Sequence, residues 1–393
     1  MKITENQRNL FTKVYETALK KFDIHMSNMN GMPYELTACT DGMFYNAEKG
    51  CDLNARYNWT TSFVTGLAPL YYKTTGKEQY LEWAKQFEEF YHSKVFDTPL
   101  DSIHDMGFLY VLYSIAMYEI TGDKAHRTDA LKAADELCKR FSVRGKYIDS
   151  WGRMDEETED GRAIVDCMMN LSLLLWAWKE TGHNFYRDVA DVHAETTLEL
   201  FVRDDATVAH SFIFDRFTGK VIEESNTCGY SNGSWWARGT AWAVYGFAVI
   251  GEYMGKDVYS NVSRTLAKAY VNQLEGKSKV PVWDFRLPTE WPAKKCGRIP
   301  ADWDETDPKN EHLVVDTSAT AIMACAFLRM GDEELVNFAI ESIEELCNNY
   351  LDLDADVPGI LHHQNGNMTY TTFGDYFLME ALSVILYDEK GVW

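Results

Sequence analysis

The chain is short of positive charge and contains no long apolar run. Its 393 residues include 38 Lys and Arg against 60 Asp and Glu, which gives a formal net charge of −22 at pH 7. Such a surface repels phosphate backbones and anionic lipids, so neither nucleic acid nor a membrane is expected as a partner. No segment approaches the ~20 consecutive apolar residues that cross a bilayer. The first eight residues begin an amphipathic helix instead of the apolar core of a signal peptide, which predicts a cytoplasmic location.

Motifs for metals, cofactors and disulfides are also missing. The eight cysteines are scattered without a Cys-x-x-Cys pair, which predicts reduced and mostly buried thiols. There is no dinucleotide fingerprint, no phosphate-binding Gly loop and no Gly-x-Ser-x-Gly. Asp352, Asp354 and Asp356 resemble the start of a calcium loop, but Val357 replaces its Gly and His363 replaces its final Glu. No cofactor and no metal ion are therefore predicted.

What the sequence does contain is one unit that recurs five times. Each unit has a polar loop, an apolar helix, a tight turn with Gly and an amphipathic helix, and the turn glycines are Gly76, Gly122, Gly182, Gly255 and Gly331. Gly just past a helix is the usual left-handed C-terminal cap. A helix that is apolar on most faces belongs in an interior, whereas a one-sided helix lies outside against solvent. The repeats therefore predict five hairpins of an inner helix followed by an outer helix.

The two ends of the chain supply a sixth pair. An amphipathic helix is predicted from Gln7 to Phe22 and a mostly apolar helix from Tyr376 to Leu386. An open helical solenoid would need polar caps at both ends, and the apolar last helix argues against one. The sequence therefore predicts an all-α fold, an (α/α)6 barrel of six inner–outer hairpins that forms a single domain over residues 1–393.

The long loops all connect an outer helix to the next inner helix, so they are expected on one face of the barrel. They are residues 23–58, 142–163, 203–233, 275–315 and 352–373, and Val208–Asp215 is predicted to form a short hairpin. Function is expected in these loops. They are rich in tryptophan, at Trp59, Trp151, Trp235, Trp236, Trp283, Trp291 and Trp303. Indole rings stack on the C–H faces of sugars, although any one of them could equally well pack the loops.

Two aspartates, Asp105 and Asp166, are placed alike in successive repeats, each where a polar loop gives way to an apolar helix. If the repeats close into a ring, both carboxyls reach the same rim. Two facing carboxyls are what acid/base catalysis on sugars requires. Asp is also a favoured helix N-cap, and for either residue taken alone capping is the favoured interpretation.

Arg238 stands between Trp236 and Trp242 at the entrance to an inner helix. In so acidic a protein, such a guanidinium is a candidate clamp for an anionic ligand. A cation–π contact or an ion pair with a neighbouring carboxylate explains it equally well, and both interpretations stay open at this point.

Five segments together resemble one known family. They are His104-Asp105-x-Gly107-Phe108, Asp166 sixty-one positions after Asp105, His210-Ser211-Phe212, Trp236-Ala237-Arg238-Gly239-x-Ala241-Trp242 and Gly374-Asp375-Tyr376-Phe377-Leu378-x-Glu380-Ala381-Leu382. In order and spacing they resemble the unsaturated glucuronyl hydrolases, glycoside hydrolase family 88, from Trp59 to the last helix. The family has an (α/α)6 barrel, which agrees with the repeat count.

The resemblance implies a substrate and a reaction. The substrate would be an oligosaccharide, cut by a lyase from glycosaminoglycan or a related polyuronide, that ends in a 4,5-unsaturated uronic acid. Asp166 would protonate C4 and assist addition of water at C5, while Asp105 would orient the sugar and stabilise the charged intermediate. The residues implied to hold the sugar and its carboxylate are Arg238, His210 and His104. The implied stacking walls are Trp59, Trp151, Trp236 and Trp242.

This chemistry sets two physical conditions. Asp166 must hold a proton near neutral pH, so burial or the nearby Asp105 must raise its pKa against the opposing effect of a helix N-terminus. Local cations must also reverse the negative field of the chain where an anionic substrate binds.

Departures from the family pattern leave the substrate open. Cys228 precedes Gly229 where Gln is frequent, Thr240 replaces another frequent Gln, and residues 359–367 lack the Ser-x-x-Ser-x-Lys pattern linked to sulfated substrates. Alternatives are a related hydrolase acting on unsaturated galacturonyl-rhamnose from pectin, an epimerase or inverting glycosidase on this barrel, and a sugar-binding protein without activity. The oligomeric state cannot be deduced from the sequence.

Overall fold

Apolar and amphipathic helices alternate along the chain as the repeats predict. The computed structural model describes residues 2–29, 37–38, 44–45, 57–156, 160–286, 315–364 and 367–393. Within these residues the α-helices are α1 (Glu5–His25), α2 (Thr61–Thr75), α3 (Gln79–Lys85), α4 (Glu88–Asp97), α5 (Met106–Tyr110), α6 (Ala116–Thr121), α7 (Lys124–Lys139), α8 (Cys167–Thr181), α9 (Asn184–Phe201), α10 (Ala237–Met254), α11 (Asp257–Gln273), α12 (Thr317–Met330), α13 (Glu333–Asn349) and α14 (Thr372–Tyr387). A π-helical turn, Val111–Ile115, joins α5 to α6, so these two act as one helix.

The helices form two concentric rings. The inner ring runs α2, α5–α6, α8, α10, α12 and α14, each packed on the next, and α14 returns to pack on α2. Outside it lie α3–α4, α7, α9, α11 and α13, each against the inner helix that precedes it, and α1 packs on α13 and α14. The helices from the two ends of the chain therefore form the sixth pair, and the predicted (α/α)6 barrel is confirmed.

The predicted turns are confirmed by their backbone angles. Gly76, Gly122, Gly182, Gly255 and Gly331 all end inner helices with φ between 63° and 72°, a left-handed conformation that glycine adopts without a steric penalty.

The first and last helices begin earlier than predicted because threonines cap them. The side chain of Thr4 accepts the N–H of Gln7, and Gln7 bonds back to the Thr4 backbone, so α1 begins at Glu5. The side chain of Thr371 accepts the N–H of Gly374, so α14 begins at Thr372 despite a glycine in its first turn.

Short antiparallel sheets lie in the loops that lead to the inner helices. The described strands are β1 (Thr37–Ala38), β2 (Phe44–Tyr45), β3 (Phe141–Ser142), β4 (Tyr147–Ile148), β5 (Gly161–Ile164), β6 (Ser211–Phe214), β7 (Val221–Ser225), β8 (His362–Gln364) and β9 (Asn367–Tyr370). β5, β6 and β7 form one sheet with β6 in the centre. A hairpin is thus found as predicted, but Val208–Asp215 supplies only its first strand, β6, and the second strand, β7, ends at Ser225.

Two further expectations concern composition. Cys138, Cys167, Cys325 and Cys347 are buried free thiols and Cys228 is a half-buried one, as predicted. The other three cysteines, with Trp291 and Trp303, lie outside the described residues. Among the helices of the described part, none is long and apolar enough to span a bilayer.

Candidate active site

The two aspartates are brought together where the first turns of α5 and α8 meet. Gly107 in α5 lies directly against Asn170 in α8, and a Cβ atom on Gly107 would overlap the backbone of Asn170. Only glycine permits this separation of the two helices. Asp105 and Asp166, the residues that immediately precede α5 and α8, consequently stand side by side at the loop end of the barrel.

Neither aspartate caps its helix. Both occupy the N-cap position, but neither side chain makes a capping hydrogen bond. Their backbones, with ψ of 19° for Asp105 and −26° for Asp166, lack the extended conformation typical of an N-cap. The capping interpretation is therefore wrong. Because neither carboxyl is used to cap its helix, both are available for other contacts.

Asn170 connects the two aspartates. Its Nδ2 donates to Oδ1 of Asp105 at 3.2 Å and to the backbone oxygen of Asp166 at 3.3 Å. Its Oδ1 accepts the N–H of Phe108 at 2.8 Å. One buried amide thus fixes the Asp105 carboxyl, the first turn of α5 and the start of α8.

Burial makes Asp105 a weak acid. It is 6% exposed, and its pKa is raised to about 8, chiefly by loss of solvent and next by the charge of Asp166. The Asn170 hydrogen bond and the charge of Arg140 oppose this rise in pKa. Asp166 keeps more exposed surface than Asp105. At neutral pH the pair therefore retains a proton.

His104 accompanies Asp105 as a neutral base. Its Nε2 lies 3.4 Å from Oδ1 of Asp105. Burial, followed by the charge of Arg140, holds the pKa of His104 well below its usual value. An uncharged imidazole beside a protonated carboxyl can accept or donate a hydrogen bond without adding net charge to the site.

Arg140 connects two loop segments next to the aspartate pair through hydrogen bonds to their backbones. Its guanidinium donates to the backbone oxygens of Asp149 at 2.6 Å, Trp151 at 2.8 Å and Gly152 at 3.2 Å, and also to that of Ser102. The segment that carries Trp151 is thereby tied to the segment that leads into Asp105. Burial lowers the pKa of Arg140.

For Arg238, both of the structural interpretations are confirmed. Its guanidinium carbon lies 4.8 Å from the centre of the Trp236 ring and 5.3 Å from that of Phe373. It also forms a buried ion pair with Asp316 and a 3.2 Å hydrogen bond to Ser318. A carboxylate thus offsets its charge, and the anion clamp stays a prediction.

The predicted stacking tryptophans differ in accessibility. Trp151 is 40% exposed and Trp59 is half-buried, so both can offer an indole face. Trp236 is 3% exposed, and Trp242 is fully buried. The Trp242 ring packs 5.1 Å from Phe108 and 6.4 Å from Trp59, so it lies behind Trp59.

His210 lies beside Trp236, with the two rings edge to face and their centres 5.1 Å apart. Its Nδ1 accepts the N–H of Thr227 at 3.2 Å, so Nε2 carries the ring proton in the neutral form. The position supports the predicted role of His210 as a donor to a sugar hydroxyl or carboxylate.

The departures from the family pattern have structural roles. Thr240 Oγ1 accepts a hydrogen bond from Trp235 Nε1 at 2.8 Å and donates to the backbone oxygen of Trp236 at 3.1 Å. The backbone oxygen of Cys228 accepts a hydrogen bond from Trp283 Nε1 at 2.9 Å. The Thr240 hydroxyl therefore stabilises the loop that holds Trp236 and Arg238, whereas the contact at Cys228 is made by its backbone and does not depend on the side chain.

Asn170 and Arg140 were not identified as site residues from the sequence. A usable signal existed for Asn170, because it follows Asp166 by one helical turn and so shares its helix face. Nothing in the sequence marks Arg140, whose partners are all backbone oxygens.

The arrangement is suited to acid/base catalysis. A carboxyl pair that keeps a proton at neutral pH, a neutral imidazole and accessible indoles suit proton transfer to a bound sugar. Within the described residues, no group of three or more His, Cys, Asp and Glu side chains is placed to hold a metal ion.

Comparison with known proteins agrees with this geometry. The model of Glycosyl Hydrolase Family 88 matches residues 32–275. The chain is 31% identical over 358 residues to the unsaturated glucuronyl hydrolase of Bacillus sp. (strain GL1), a match that covers 87% of this chain and 89% of the relative. It is 31% identical over 357 residues to the unsaturated chondroitin disaccharide hydrolase of Streptococcus pyogenes serotype M1, covering 85% and 83% of the two chains.

The fold comparison gives the same family. The crystal structure of the Bacillus sp. GL1 unsaturated glucuronyl hydrolase superimposes with a TM-score of 0.82 at 29% identity, over 98% of both chains. The sequence motifs, the closed ring of helix pairs and the paired carboxyls therefore converge: this chain belongs to glycosyl hydrolase family 88 and is a glycoside hydrolase.

Proposed function

We propose that the protein is an unsaturated glucuronyl hydrolase. It removes the 4,5-unsaturated uronic acid from the non-reducing end of oligosaccharides that lyases release from glycosaminoglycans. The observation that carries the proposal is the Asp105–Asp166 pair, bridged by Asn170 and able to hold a proton at neutral pH. The names of the relatives in Bacillus and Streptococcus support the substrate class.

The reaction hydrates a vinyl ether. Asp166, the more exposed of the pair, gives its proton to C4, and positive charge develops at C5 and the ring oxygen. Asp105 stabilises this charge. Water then adds to C5 and its proton returns to Asp166. The hemiketal formed at C5 opens to a ketone, and the resulting hemiacetal at C1 collapses to an aldehyde, which releases the remaining sugar with a free hydroxyl.

The proton required for this step is available at the pair. Asp105 has the pKa of about 8 in the free protein, and two interacting carboxyls titrate as a unit. A sugar that covers Asp166 removes water from its carboxyl, which favours the neutral form of Asp166 in the complex. The proton of the pair then lies on the residue that faces C4.

The other predicted site residues are assigned to parts of the substrate according to their positions around the aspartate pair. Arg238 and His210 hold the uronate carboxylate and its neighbouring hydroxyls, and His104 supports Asp105. Trp59 and Trp151 provide accessible stacking faces, Trp242 packs behind Trp59, and Trp236 packs against Arg238 and His210. We further propose a single catalytic domain over residues 1–393, supported by the packing of α1 on α14, and a cytoplasmic location, supported by the five free cysteines of the described part.

The test uses unsaturated disaccharides from glycosaminoglycan and pectin lyases and follows the ultraviolet absorbance of the conjugated double bond. Wild type should abolish the absorbance and release the second sugar, with glycosaminoglycan products preferred. Asp166→Asn should lower kcat by at least about 1,000-fold, because it removes the acid and base together. Asp97→Asn, an exposed aspartate of α4, is the matched control and should keep full activity.

Three outcomes would contradict the proposal. Release of the second sugar with the absorbance intact would indicate direct glycosidic cleavage. A preference for pectin products would select the galacturonyl-rhamnose alternative. Full activity of Asp166→Asn would remove this residue from the acid role.

A further inference from the structure

Besides Arg238, which is assigned to the uronate carboxylate, an acidic enzyme gains from a further cation that no carboxylate offsets when its oligosaccharide substrates carry additional anionic groups. The chain carries a net charge of −22, and Arg238 is paired with Asp316. Several arginines of the loops around the aspartate pair also contact carboxylates: Arg153 contacts Asp101 and Asp155, Arg203 contacts Glu224, and Arg216 contacts Asp149. Arg140 is occupied by four backbone oxygens.

Arg162 differs from these arginines. Its guanidinium carbon lies 5.3 Å from the centre of the Trp151 ring, and its Nη1 donates to Oγ of Ser225 at 2.9 Å. The side chain is half-buried. Among the residues that the structure describes, no carboxylate forms an ion pair with it. Within the described part of the chain, its positive charge is therefore held in place by neutral partners and is not offset by a carboxylate.

The backbone places Arg162 close to the predicted catalytic residues. It belongs to β5, and Asp166 follows four residues later. Its N–H donates to Oδ1 of Asp149 at 2.9 Å, and its carbonyl accepts the N–H of Ser150 at 2.7 Å. β5 pairs with β6, which starts at Ser211, directly after His210. The Arg162 side chain thus extends from β5 to Trp151 and to Ser225 of β7, the strand on the far side of β6.

The residues of the site differ in how much of their surface is exposed to solvent. Asp105 and Arg238 are each 6% exposed, whereas Trp151 beside Arg162 is 40% exposed. The unsaturated sugar must reach the buried pair, so the sugar attached to it lies further out. Trp151 and Arg162 are both more exposed than the aspartate at the centre of the site, Asp105, so they are suited to contact this outer sugar.

We propose that Arg162 and Trp151 form a subsite for a sulfate ester on the sugar that follows the unsaturated uronic acid. Indole stacks on the C–H face of this sugar, and the planar guanidinium offers paired donors that match two sulfate oxygens. Ser225 and Trp151 hold the guanidinium in place before substrate arrives, which reduces the entropy lost on binding. The inference rests on the proposed function and names the form of the substrate that this site prefers.

The experiment compares unsaturated disaccharides that differ only in a sulfate on the second sugar, placed on one hydroxyl or another. Wild type should have a higher kcat/KM for at least one sulfated isomer, through a lower KM. Arg162→Gln should lower kcat/KM for that isomer about tenfold or more, the effect of losing a charged hydrogen bond. The decrease in kcat/KM that Arg162→Gln causes for the unsulfated disaccharide should be several times smaller. Arg187→Gln, a half-buried arginine of α9 paired with Asp188, is the control and should behave as wild type.

A binding measurement separates this inference from the proposed function. Calorimetry of Asp166→Asn with both sugars, with and without Arg162→Gln, needs no turnover. Weaker binding of only the sulfated sugar after Arg162→Gln supports the subsite even if the reaction is different. Equal losses on both sugars, or no preference of wild type for any sulfated isomer, would overturn it, and Arg162 would then only support Trp151. Activity on the unsulfated sugar would in that case leave the proposed function intact.

Discussion

Asn170 is hydrogen-bonded to both aspartates and so fixes the position of one relative to the other. Its amide donates to the Asp105 carboxyl and to the Asp166 backbone, and its oxygen accepts from Phe108. A hydrogen bond donated to a carboxylate favours the charged form, so Asn170 limits the rise in the pKa of Asp105. We regard it as a positioning residue.

Asn170→Leu should therefore change the pH profile as well as the rate. Without the amide donor the pKa of Asp105 rises further, so the alkaline limb of kcat/KM should move to higher pH, and kcat should fall about 10-fold to 100-fold. Kinetics from pH 5 to pH 9 measure both effects. Ser172→Ala, which alters a buried hydroxyl of the same helix bonded to Met169, is the control. A lower rate with an unshifted profile would show that Asn170 acts only through packing.

Asp105 also links stability to pH. Its pKa is 3.8 ordinarily and about 8 in the folded protein, so between these values the folded state binds a proton that the unfolded state has lost. The free energy of unfolding contributed by Asp105 is greatest below pH 4 and decreases as the pH rises through about 8.

Asp105→Asn should thus stabilise the protein at high pH while lowering its activity. The amide cannot ionise and can still accept the Asn170 hydrogen bond. We expect the free energy of unfolding to rise by roughly 1 to 3 kcal/mol relative to wild type at pH 8, and by much less at pH 4. Urea unfolding at the two pH values measures this difference. An equal effect at both would show that Asp105 does not carry the proton.

At the scale of the elements, the first turns of α5 and α8 can lie in contact because residue 107 is a glycine and has no side chain. Gly107 lies against the backbone of Asn170, where a Cβ would overlap it. Separation of the two turns would lengthen the Asn170 hydrogen bonds on which the aspartate pair depends.

Gly107→Ala tests this contact. It should lower the free energy of unfolding by roughly 1 to 3 kcal/mol through overpacking and reduce kcat at least about tenfold. Gly182→Ala is a matched control, because Gly182 has a φ of 71° and no atom within 4 Å of a Cβ placed on it. It should cost about 1 kcal/mol of stability and leave kcat unchanged. Similar kcat losses in both variants would show that general destabilisation, and not the contact, governs activity.

For the whole molecule, residues at the end of the described chain close the barrel. Trp393 is 3% exposed, and its Nε1 donates to Glu380 of α14 at 3.0 Å. Its backbone oxygen accepts from Arg329 of α12 at 2.6 Å. Its ring packs on Phe377 and, edge to face, on Phe108, which follows Asp105 by three residues.

Trp393→Ala should destabilise the whole barrel. Loss of a fully packed indole costs about 3 to 5 kcal/mol, and the buried Glu380 also loses a donor. Thermal unfolding should show a lower Tm and one cooperative transition. Trp178→Ala removes a half-buried indole of α8 that contacts Lys179 and Arg187, and it should lower Tm by less than half as much. Equal shifts would show that Trp393 does not help to close the ring.

The sequence by itself determined the barrel, the order of its helices and the identity of the two aspartates. These features depend on local patterns: glycine after each inner helix, one-sided against all-round apolar helices, and motifs with fixed spacing. The boundaries of α1 and α14 were less well predicted, because a threonine cap outweighs the low helix propensity of the residues that follow it.

Only the tertiary structure decided the surroundings and the partners of these residues. Exclusion of water raises the pKa of Asp105. The ion pair of Arg238 with Asp316 and the hydrogen bond of Asn170 to Asp105 depend on which side chains the fold brings into contact. Arg162 and Arg140 look alike in the sequence. Among the described residues, however, Arg162 contacts the neutral Trp151 and Ser225, whereas Arg140 donates to four backbone oxygens. Burial and partners are set by contacts between residues far apart in the chain, and no local pattern in the sequence records them.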